Sequence, residues 1–290
     1  MAIRINNISL GLEEEKEALK DKAAKRLRIS SKDLTALKIL RESIDARKKD
    51  SIKFNYTVQV ECEHEASVVR RANDKNILIE TKEFDENFNL GNKPLNHRPI
   101  IIGMGPAGMF AGLLMAEKGF CPIIIERGEE VGERTRTVDK FWNTGILNPE
   151  SNVQFGEGGA GTFSDGKLTT RIKDARCDLV IQRFVEAGAP EEIIYSGKPH
   201  IGTDILKNVV KNIRDRIIKL GGEVRFSSKL EDIRSSGGKL KSIIVNGEEI
   251  PCDVMIAAIG HSSRDTYTML YNRGISMSAK PFAIGVRAEH

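Results

Sequence analysis

Two short, unbroken apolar runs, Pro99-Ile-Ile-Ile102 and Pro122-Ile-Ile-Ile125, bracket a longer apolar stretch with helical spacing. Continuous apolar runs of that length are the mark of strands covered on both faces, as in a parallel sheet. The segment therefore predicts strand, glycine turn, helix, strand. Upstream, Ile3, Ile5 and Ile8 alternate as in a strand, and Glu13 to Leu27 is a Glu/Lys/Ala-rich helix pattern. Leu34, Leu37, Leu40 and Ile44 fit a helix capped by Asp33, but the stretch also pairs with Ile52 to Val60 as a hairpin. Strand is the choice for both, and the helix alternative over 34–46 stays open. A short helix near Ala66 to Arg71 and a strand at Ile77-Leu-Ile-Glu80 complete a β-α-β-β-α-β order over residues 1–90, the split βαβ, ferredoxin-like arrangement. Residues 84–98, with Gly91, Pro94 and Pro99 following Asn-rich sequence, contain the linker, set at 91–98.

Downstream, Ile205, Leu206, Val209, Val210, Ile213, Ile217 and Leu220 keep helical spacing, with Thr203 or Asp204 as cap and Gly221-Gly222 as stop. Val224 to Ile233, Leu240 to Val245 and Glu249 to Cys252 predict three strands, the last two joined by Asn246-Gly247, a favoured hairpin dipeptide. Asp253 to Gly260 predicts a buried strand returning to the parallel sheet, and His261-Ser-Ser-Arg-Asp265 opens a helix that ends near Gly274.

The turn after the first apolar run reads Gly103-Met104-Gly105-Pro106-Ala107-Gly108. In a dinucleotide-binding turn the first glycine permits the tight bend and the second lets the backbone approach a pyrophosphate. The third lets the helix pack close to the strand. The helix N-terminus offers free N–H groups to the phosphates. Glu126 follows Gly108 by eighteen residues, at the end of the second strand, where an acid can accept from adenosine ribose hydroxyls. Alone the glycine pattern is a weak signal; with both strands, the helix and the acid in register it predicts a dinucleotide site.

A second cluster, Gly156-Glu-Gly-Gly-Ala-Gly-Thr-Phe-Ser-Asp-Gly-Lys167, holds five glycines in eleven residues. Ordering so many is entropically costly, and a chain tolerates it where backbone N–H groups must sit against a flat or anionic ligand. Phe155, Phe163 and Leu168 at its edges oppose a purely flexible loop, so Gly158, Gly159, Ala160, Gly161 and Thr162 are candidate ligand contacts.

A net charge of +4 among 45 basic and 41 acidic side chains points to no nucleic-acid or membrane-surface role. Arg47-Lys48-Lys49 reads as a solvated hairpin tip, since a nucleic-acid footprint needs a sustained basic stripe. No apolar run approaches the length of a membrane span, and no signal peptide is visible. The scattered Cys62, Cys121, Cys177 and Cys252 have neither a C-x-x-C pair nor metal-ligand spacing, and read as buried, reduced thiols of a cytoplasmic protein.

With these residues in place, the chain resembles the flavin-binding oxidoreductases of the glutathione-reductase-like superfamily, and within them bacterial FAD-dependent dehydrogenases with a small N-terminal α/β domain. The resemblance rests on Gly103 to Gly108, continued by Gly112 and Gly119, and on Glu126-Arg127-Gly128. Val153 to Leu168, Lys198 to Asp204, Ala257 to Asp265 and Lys280 to Arg287 extend it over nearly everything after residue 99. It implies an α/β Rossmann-like FAD-binding domain with a parallel sheet and a three-stranded β-meander over 99–278, preceded by the small ferredoxin-like α+β domain. It implies that Gly103, Gly105 and Gly108, with Pro106 and Ala107 between them, hold the FAD pyrophosphate and Glu126 the ribose. Arg127 would lie beside the adenine, Leu230 would contact it through its backbone, and Gly260 would let the chain pass close to the cofactor. Ile259 stands where such enzymes usually have Thr. The late Gly-Asp motif of the superfamily occurs nowhere in the chain. Residues 279–290 read as the start of a substrate domain, so the expectation is an N-terminal fragment of a longer oxidoreductase.

The function expected is hydride or electron transfer through bound FAD, with a small-molecule substrate or an electron-transfer partner. His200 and His261 are the candidate proton donors, although a histidine at a helix start is more often structural, and no catalytic residue is assigned. The missing C-x-x-C argues against disulfide exchange with a flavin. The alternatives are an NAD(P)-binding dehydrogenase without flavin, against which the Glu126-Arg127-Gly128 ending, the second glycine cluster and the three-strand insertion speak, and a non-catalytic or RNA-associated flavoprotein; the missing second G-x-G-x-x-G leaves a dedicated NAD(P) domain unsupported.

Overall fold

The computed structural model describes residues 2–80, 90–164, 166–168, 170, 172, 174–281 and 285. The chain divides into two compact units, Met1–Gly91 with Ser164–Val209, and Asn92–Phe163 with Val210–His290. Residues 164–209, assigned from sequence to the dinucleotide-binding segment, thus cluster with the N-terminal residues. Most of the expected substrate-domain start, including Phe282 to Ile284 and Val286 to His290, lies outside the described residues, as do residues 81–89 ahead of the expected 91–98 linker.

The first unit runs β1 (Ala2–Gly11), α1 (Ala18–Leu27), β2 (Ala36–Asp45), β3 (Lys53–Glu61), α2 (Glu65–Ala72) and β4 (Ile77–Glu80). The sheet order is β2-β3-β1-β4, with each neighbouring pair antiparallel. Alternation decides which face is buried: Ile3, Ile5, Ile8, Tyr56, Val58 and Val60 form one core with Leu19, Ala23, Leu27, Val68 and Ala72 of the two helices. Residues 36–45 are therefore a strand, and Asp33 caps no α-helix. It closes a short 3₁₀ turn with Ser30, whose N–H donates to its carboxylate at 3.2 Å. Arg47 is exposed at the hairpin tip, paired with Asp45 at 2.6 Å. The unit also holds α5 (Arg176–Glu186) and the first residues of α6 (Thr203–Lys219). That helix starts at Thr203 itself, and the Thr203 hydroxyl donates to Ser164 O at 3.1 Å.

In the second unit β5 (Ile100–Ile102), β6 (Ile123–Ile125), β7 (Glu223–Arg225) and β11 (Met255–Ala257) form a parallel sheet of order β11-β5-β6-β7. Helix α3 (Pro106–Glu117) follows β5, α4 (Val131–Thr144) follows β6, and α7 (Arg264–Asn272) follows β11. β8 (Leu230–Ser236), β9 (Lys239–Val245) and β10 (Glu248–Pro251) form a separate antiparallel meander. Asn246 and Gly247 both take positive φ, 47° and 79°, the turn that the dipeptide predicts.

Three expectations are corrected. The single strand expected over Val224–Ile233 is broken into β7 and β8, which lie in different sheets. Ser227 takes φ 50°, and the N–H groups of Ser227 and Ser228 donate to Gly128 O and Glu126 O at 2.9 Å, so the backbone there bonds to the end of β6. The strand expected to be buried after Asp253 is a three-residue sheet edge, with Met255 and Ile256 half-buried and Ala257 exposed. Of the four thiols, Cys62 and Cys252 are buried but Cys121 and Cys177 are only half-buried. Among the described residues no helix is long and apolar enough to cross a membrane, and no cluster of residues could hold a metal ion.

Candidate dinucleotide site

A cavity of about 300 Å³ opens above the carboxyl ends of β5 and β6, between the glycine turn, the second glycine cluster, the start of β8 and the loop into α7. Ligands of open α/β sheets bind at this end of the strands. Of the residues expected to form the site, Gly103, Gly105, Pro106, Ala107, Glu126, Arg127, Gly159, Ala160, Leu230 and Gly260 line it. Gly108, Gly158, Gly161 and Thr162 do not.

The three glycines of the first turn are required for different reasons. Gly103 takes φ 96°, and a Cβ there would lie 2.4 Å from Ala258 O. A Cβ on Gly108 would lie 1.9 Å from Gly103 O. Both are therefore dictated by the protein's own packing. Gly105 differs: its backbone is extended (φ −71°, ψ −177°), and its Cβ would meet nothing nearer than Gly159 Cα at 3.9 Å. It is the N-cap of α3, with Pro106 at the first helical position, where a missing N–H costs nothing. Among the described residues the N–H groups of Gly105, Ala107 and Gly108 bond to no group of the chain, the ordinary state of donors at a helix N-terminus.

Glu126 is 4% exposed and joins the two glycine loops. Its Oε2 accepts from Met104 N–H at 2.7 Å, and its Oε1 accepts from Gly128 N–H at 2.8 Å and Gly156 N–H at 3.0 Å. A carboxylate has about four lone-pair sites, so one remains for a ligand hydroxyl.

The second loop is wound around a cation that the sequence reading did not single out. Arg134, on α4, is fully buried. Its guanidinium donates to the carbonyls of Asn152 (2.9 Å), Val153 (3.1 Å), Glu157 (2.6 Å) and Gly159 (2.9 Å), and its Cζ lies 4.8 Å from the Phe163 ring centre. Burial pulls its pKa down to about 10, against the opposing charges of Glu126 and Glu157. Glu157, also fully buried, caps α4 by accepting from Val131 N–H at 2.7 Å and pairs with Arg214 at 2.9 Å. Burial raises its pKa, and its Oε1 has no hydrogen-bond partner. Gly158 and Thr162 serve this loop: a Cβ on Gly158 would lie 2.2 Å from Thr162 Oγ1, and that hydroxyl donates to Glu157 O at 3.2 Å. An acid set between glycines, Gly156-Glu157-Gly158, was the one local signal for this network. For Arg134 the sequence held none.

Arg127 lines the cavity within a second ionic cluster. It makes a two-pronged pair with Asp265 (3.0 and 2.7 Å), donates to Glu150 at 2.8 Å and lies 4.3 Å above the Phe155 ring. Lys229 joins Glu150 (3.0 Å) and Asp265 (2.8 Å), so the four charges balance. The Arg127 guanidinium, followed by Lys229, holds the Asp265 carboxyl well below the usual range. Leu230 is buried among the meander residues Ile233, Ile243 and Val245. Gly260 takes φ 67°, a left-handed conformation, and its carbonyl accepts from Tyr267 Oη at 2.9 Å. His261 lines the cavity, its Nε2 lying 3.2 Å from Ser262 Oγ, which donates to Gln154 Oε1 at 3.1 Å. His200 does not line it; in the first unit it faces Lys167 in an isolated antiparallel bridge.

Comparison with known proteins gives two sequence matches. A family model described as a domain of unknown function (DUF8436) matches residues 2–61. A protein of Clostridium beijerinckii named "Uncharacterized protein" is 56% identical over 290 residues, and the chain spans 54% of its length. Among solved structures, THI4 of Thermovibrio ammonificans is 17% identical with a TM-score of 0.39, over 61% of this chain and 63% of that one. Glycine oxidase of Bacillus cereus is 13% identical with a TM-score of 0.34, over 62% of this chain and 60% of that one. Thioredoxin reductase of Lactococcus lactis is 18% identical with a TM-score of 0.32, over 57% of this chain and 36% of that one.

Proposed function

We propose that the second unit binds FAD by its adenosine diphosphate half and that the protein of which this chain forms part is a flavin-dependent oxidoreductase. One observation carries the reading. Gly105 is the one glycine of the turn that the protein's own packing does not demand, and it borders the cavity with its own unbonded N–H group and that of Ala107. A glycine kept where a side chain would fit the protein leaves room for a ligand, and those donors suit a pyrophosphate. The site fits the group in its other parts too. The free lone pair of Glu126 suits a ribose hydroxyl, and the apolar and cationic wall of Phe155, Arg127 and Leu230 suits an adenine ring. In this reading the residues of the chain bind and orient the cofactor, while the bound flavin supplies hydride or electron transfer. The substrate is a small molecule or an electron-transfer partner. The first unit, with its β-α-β-β-α-β order and β2-β3-β1-β4 sheet, is read as a ferredoxin-like domain.

The test is competition at the site. Titrating the 290-residue chain with FAD, followed by flavin fluorescence, is expected to give saturable binding that ADP displaces and FMN does not. FMN displacing FAD as well as ADP does would overturn the adenosine assignment. Absence of saturable FAD binding would overturn the reading as a whole, and NADH binding more tightly than FAD would favour a nicotinamide cofactor instead.

A further inference from the structure

We propose that the open face of the first sheet carries a binding site for a small oxyanion, a phosphate or carboxylate group, built on Arg41. It is separate from the dinucleotide reading. The ladder of the central strand β3 is disturbed on both sides at one residue. On β1, Ile5 pairs with Val58 and Ile8 with Tyr56, so Asn6 and Asn7 together stand against Thr57. On β2, Ile39 pairs with Val58 and Arg41 with Thr57, which leaves Leu40 as the extra residue. A bulge re-aims side chains and is over-represented beside binding sites. Two bulges facing the same residue splay both neighbouring strands from it. They border a cavity of about 140 Å³ lined by Asn7, Arg41, Ser43, Asn55, Tyr56 and Thr57.

The β1 bulge is held in place. Asn7 takes φ 58°, and Arg26 donates to Asn6 O at 2.6 Å and Asn7 O at 3.3 Å. Arg26 is itself fixed by Asp74 at 3.1 Å, and Asn6 N–H donates to Asn76 O at 2.9 Å. The cavity is thus a formed feature of the sheet.

Its chemistry selects an anion. Among the described residues the Arg41 guanidinium has neither an ion-pair nor a hydrogen-bond partner. Of the acids of the same sheet, Asp45 pairs with Arg47, Glu42 with Lys16 and Glu80 with Arg4, and Glu61 stands four residues along β3 from Thr57, opposite Ala36. The other polar groups at the cavity are neutral amides and hydroxyls. Thr57 Oγ1 donates to Asn6 Oδ1 at 3.3 Å, and Ser43 Oγ to Asn55 O at 3.3 Å. A planar guanidinium fork with donors to spare matches an oxyanion in two-pronged geometry. At about 30 Å³ per water, the volume is that of a few waters, enough for one such group and too small for a nucleotide.

The test uses the whole chain, labelled with ¹⁵N, titrated with inorganic phosphate and separately with acetate. The side-chain signals of Arg41 Nε and the Asn55 amide are expected to move saturably in at least one arm, and the arm with the tighter curve identifies the group. Arg41→Gln is expected to raise the dissociation constant at least tenfold with the remaining backbone signals in place. Should that variant fail to fold, Ser43→Asp, which sets a carboxylate at the cavity, is expected to give the same loss. Unmoved Arg41 and Asn55 signals in both arms, or unchanged affinity in a folded variant, would overturn the site. Phosphate bound at the dinucleotide turn moves the Gly105 and Ala107 backbone signals instead, so the two readings fail separately.

Discussion

A Cβ on Gly156 would lie 2.3 Å from Cδ of Arg134 and 2.6 Å from its Nε. The second glycine cluster therefore opens with glycine because a buried arginine from α4 passes against its backbone. The loop turns its carbonyls inward to that cation and can leave other backbone groups facing the cavity. Taking a guanidinium out of water is costly, and here backbone carbonyls satisfy it.

Arg134→Met keeps much of the volume but orphans four carbonyls. The expected loss is roughly 4 kcal/mol, taking about 1 kcal/mol per orphaned acceptor. Urea unfolding of the second unit, followed by the fluorescence of Trp142, measures it; a midpoint equal to wild type would show that the loop does not depend on Arg134.

Gly105 and Gly108 separate ligand binding from folding. Gly105→Val is expected to abolish ADP and FAD binding with the unfolding midpoint near wild type, since a Cβ there meets no atom of the chain within 3.9 Å. Gly108→Ala drives a Cβ onto Gly103 O at 1.9 Å and is expected to destabilise by about 3 kcal/mol, the upper range of forced overpacking. Paired thermal melts and ADP titrations decide the matter. A Gly105→Val protein that still binds, or a Gly108→Ala protein as stable as wild type, contradicts the assignment.

Glu126→Ala removes the acceptor of three buried N–H groups, those of Met104, Gly128 and Gly156. Stability is expected to drop by about 3 kcal/mol, at about 1 kcal/mol or more per orphaned donor. ADP affinity should fall as well, because both glycine loops lose their common tie. Calorimetry with ADP on the folded fraction tests the second half; unchanged affinity would show that the cavity keeps its shape without Glu126.

The buried carboxyl of Glu157 sets a pH dependence. Its folded pKa is raised by burial, so the folded state binds the proton more tightly than the unfolded state does. Its stabilising contribution is therefore full below the ordinary carboxylate pKa and is lost as pH rises through the raised value. Glu157→Gln has no such proton to bind. The stability of wild type relative to Glu157→Gln is expected to increase as the pH is lowered from neutrality toward the ordinary carboxylate range. Urea midpoints of both proteins across that interval check it, and a constant difference would mean that Glu157 does not titrate there.

The local patterns of the chain determined most of its elements. The isoleucine runs became β5 and β6 because an unbroken apolar strand is stable only with both faces covered. The alternation around Tyr56, Val58 and Val60 set the buried face of the first sheet, and Asn246-Gly247 set the β9–β10 hairpin of the meander, because period and turn chemistry act over a few residues. The turn from Gly103 to Gly108 and the acid at Glu126 were legible for the same reason. Tertiary structure decided what depends on partners distant in sequence. Residues 226–229 look like continuing strand, yet hydrogen bonds to the end of β6 break it there. Gly105 and Gly108 are the same residue in one motif, and only the position of the Gly103 carbonyl tells packing from ligand space. Arg134 reads as one more charge on a polar helix until the loop from Asn152 to Gly159 closes around it. The coincident bulges at Thr57 are invisible in sequence, because strand register is a relation between strands and no single strand carries it.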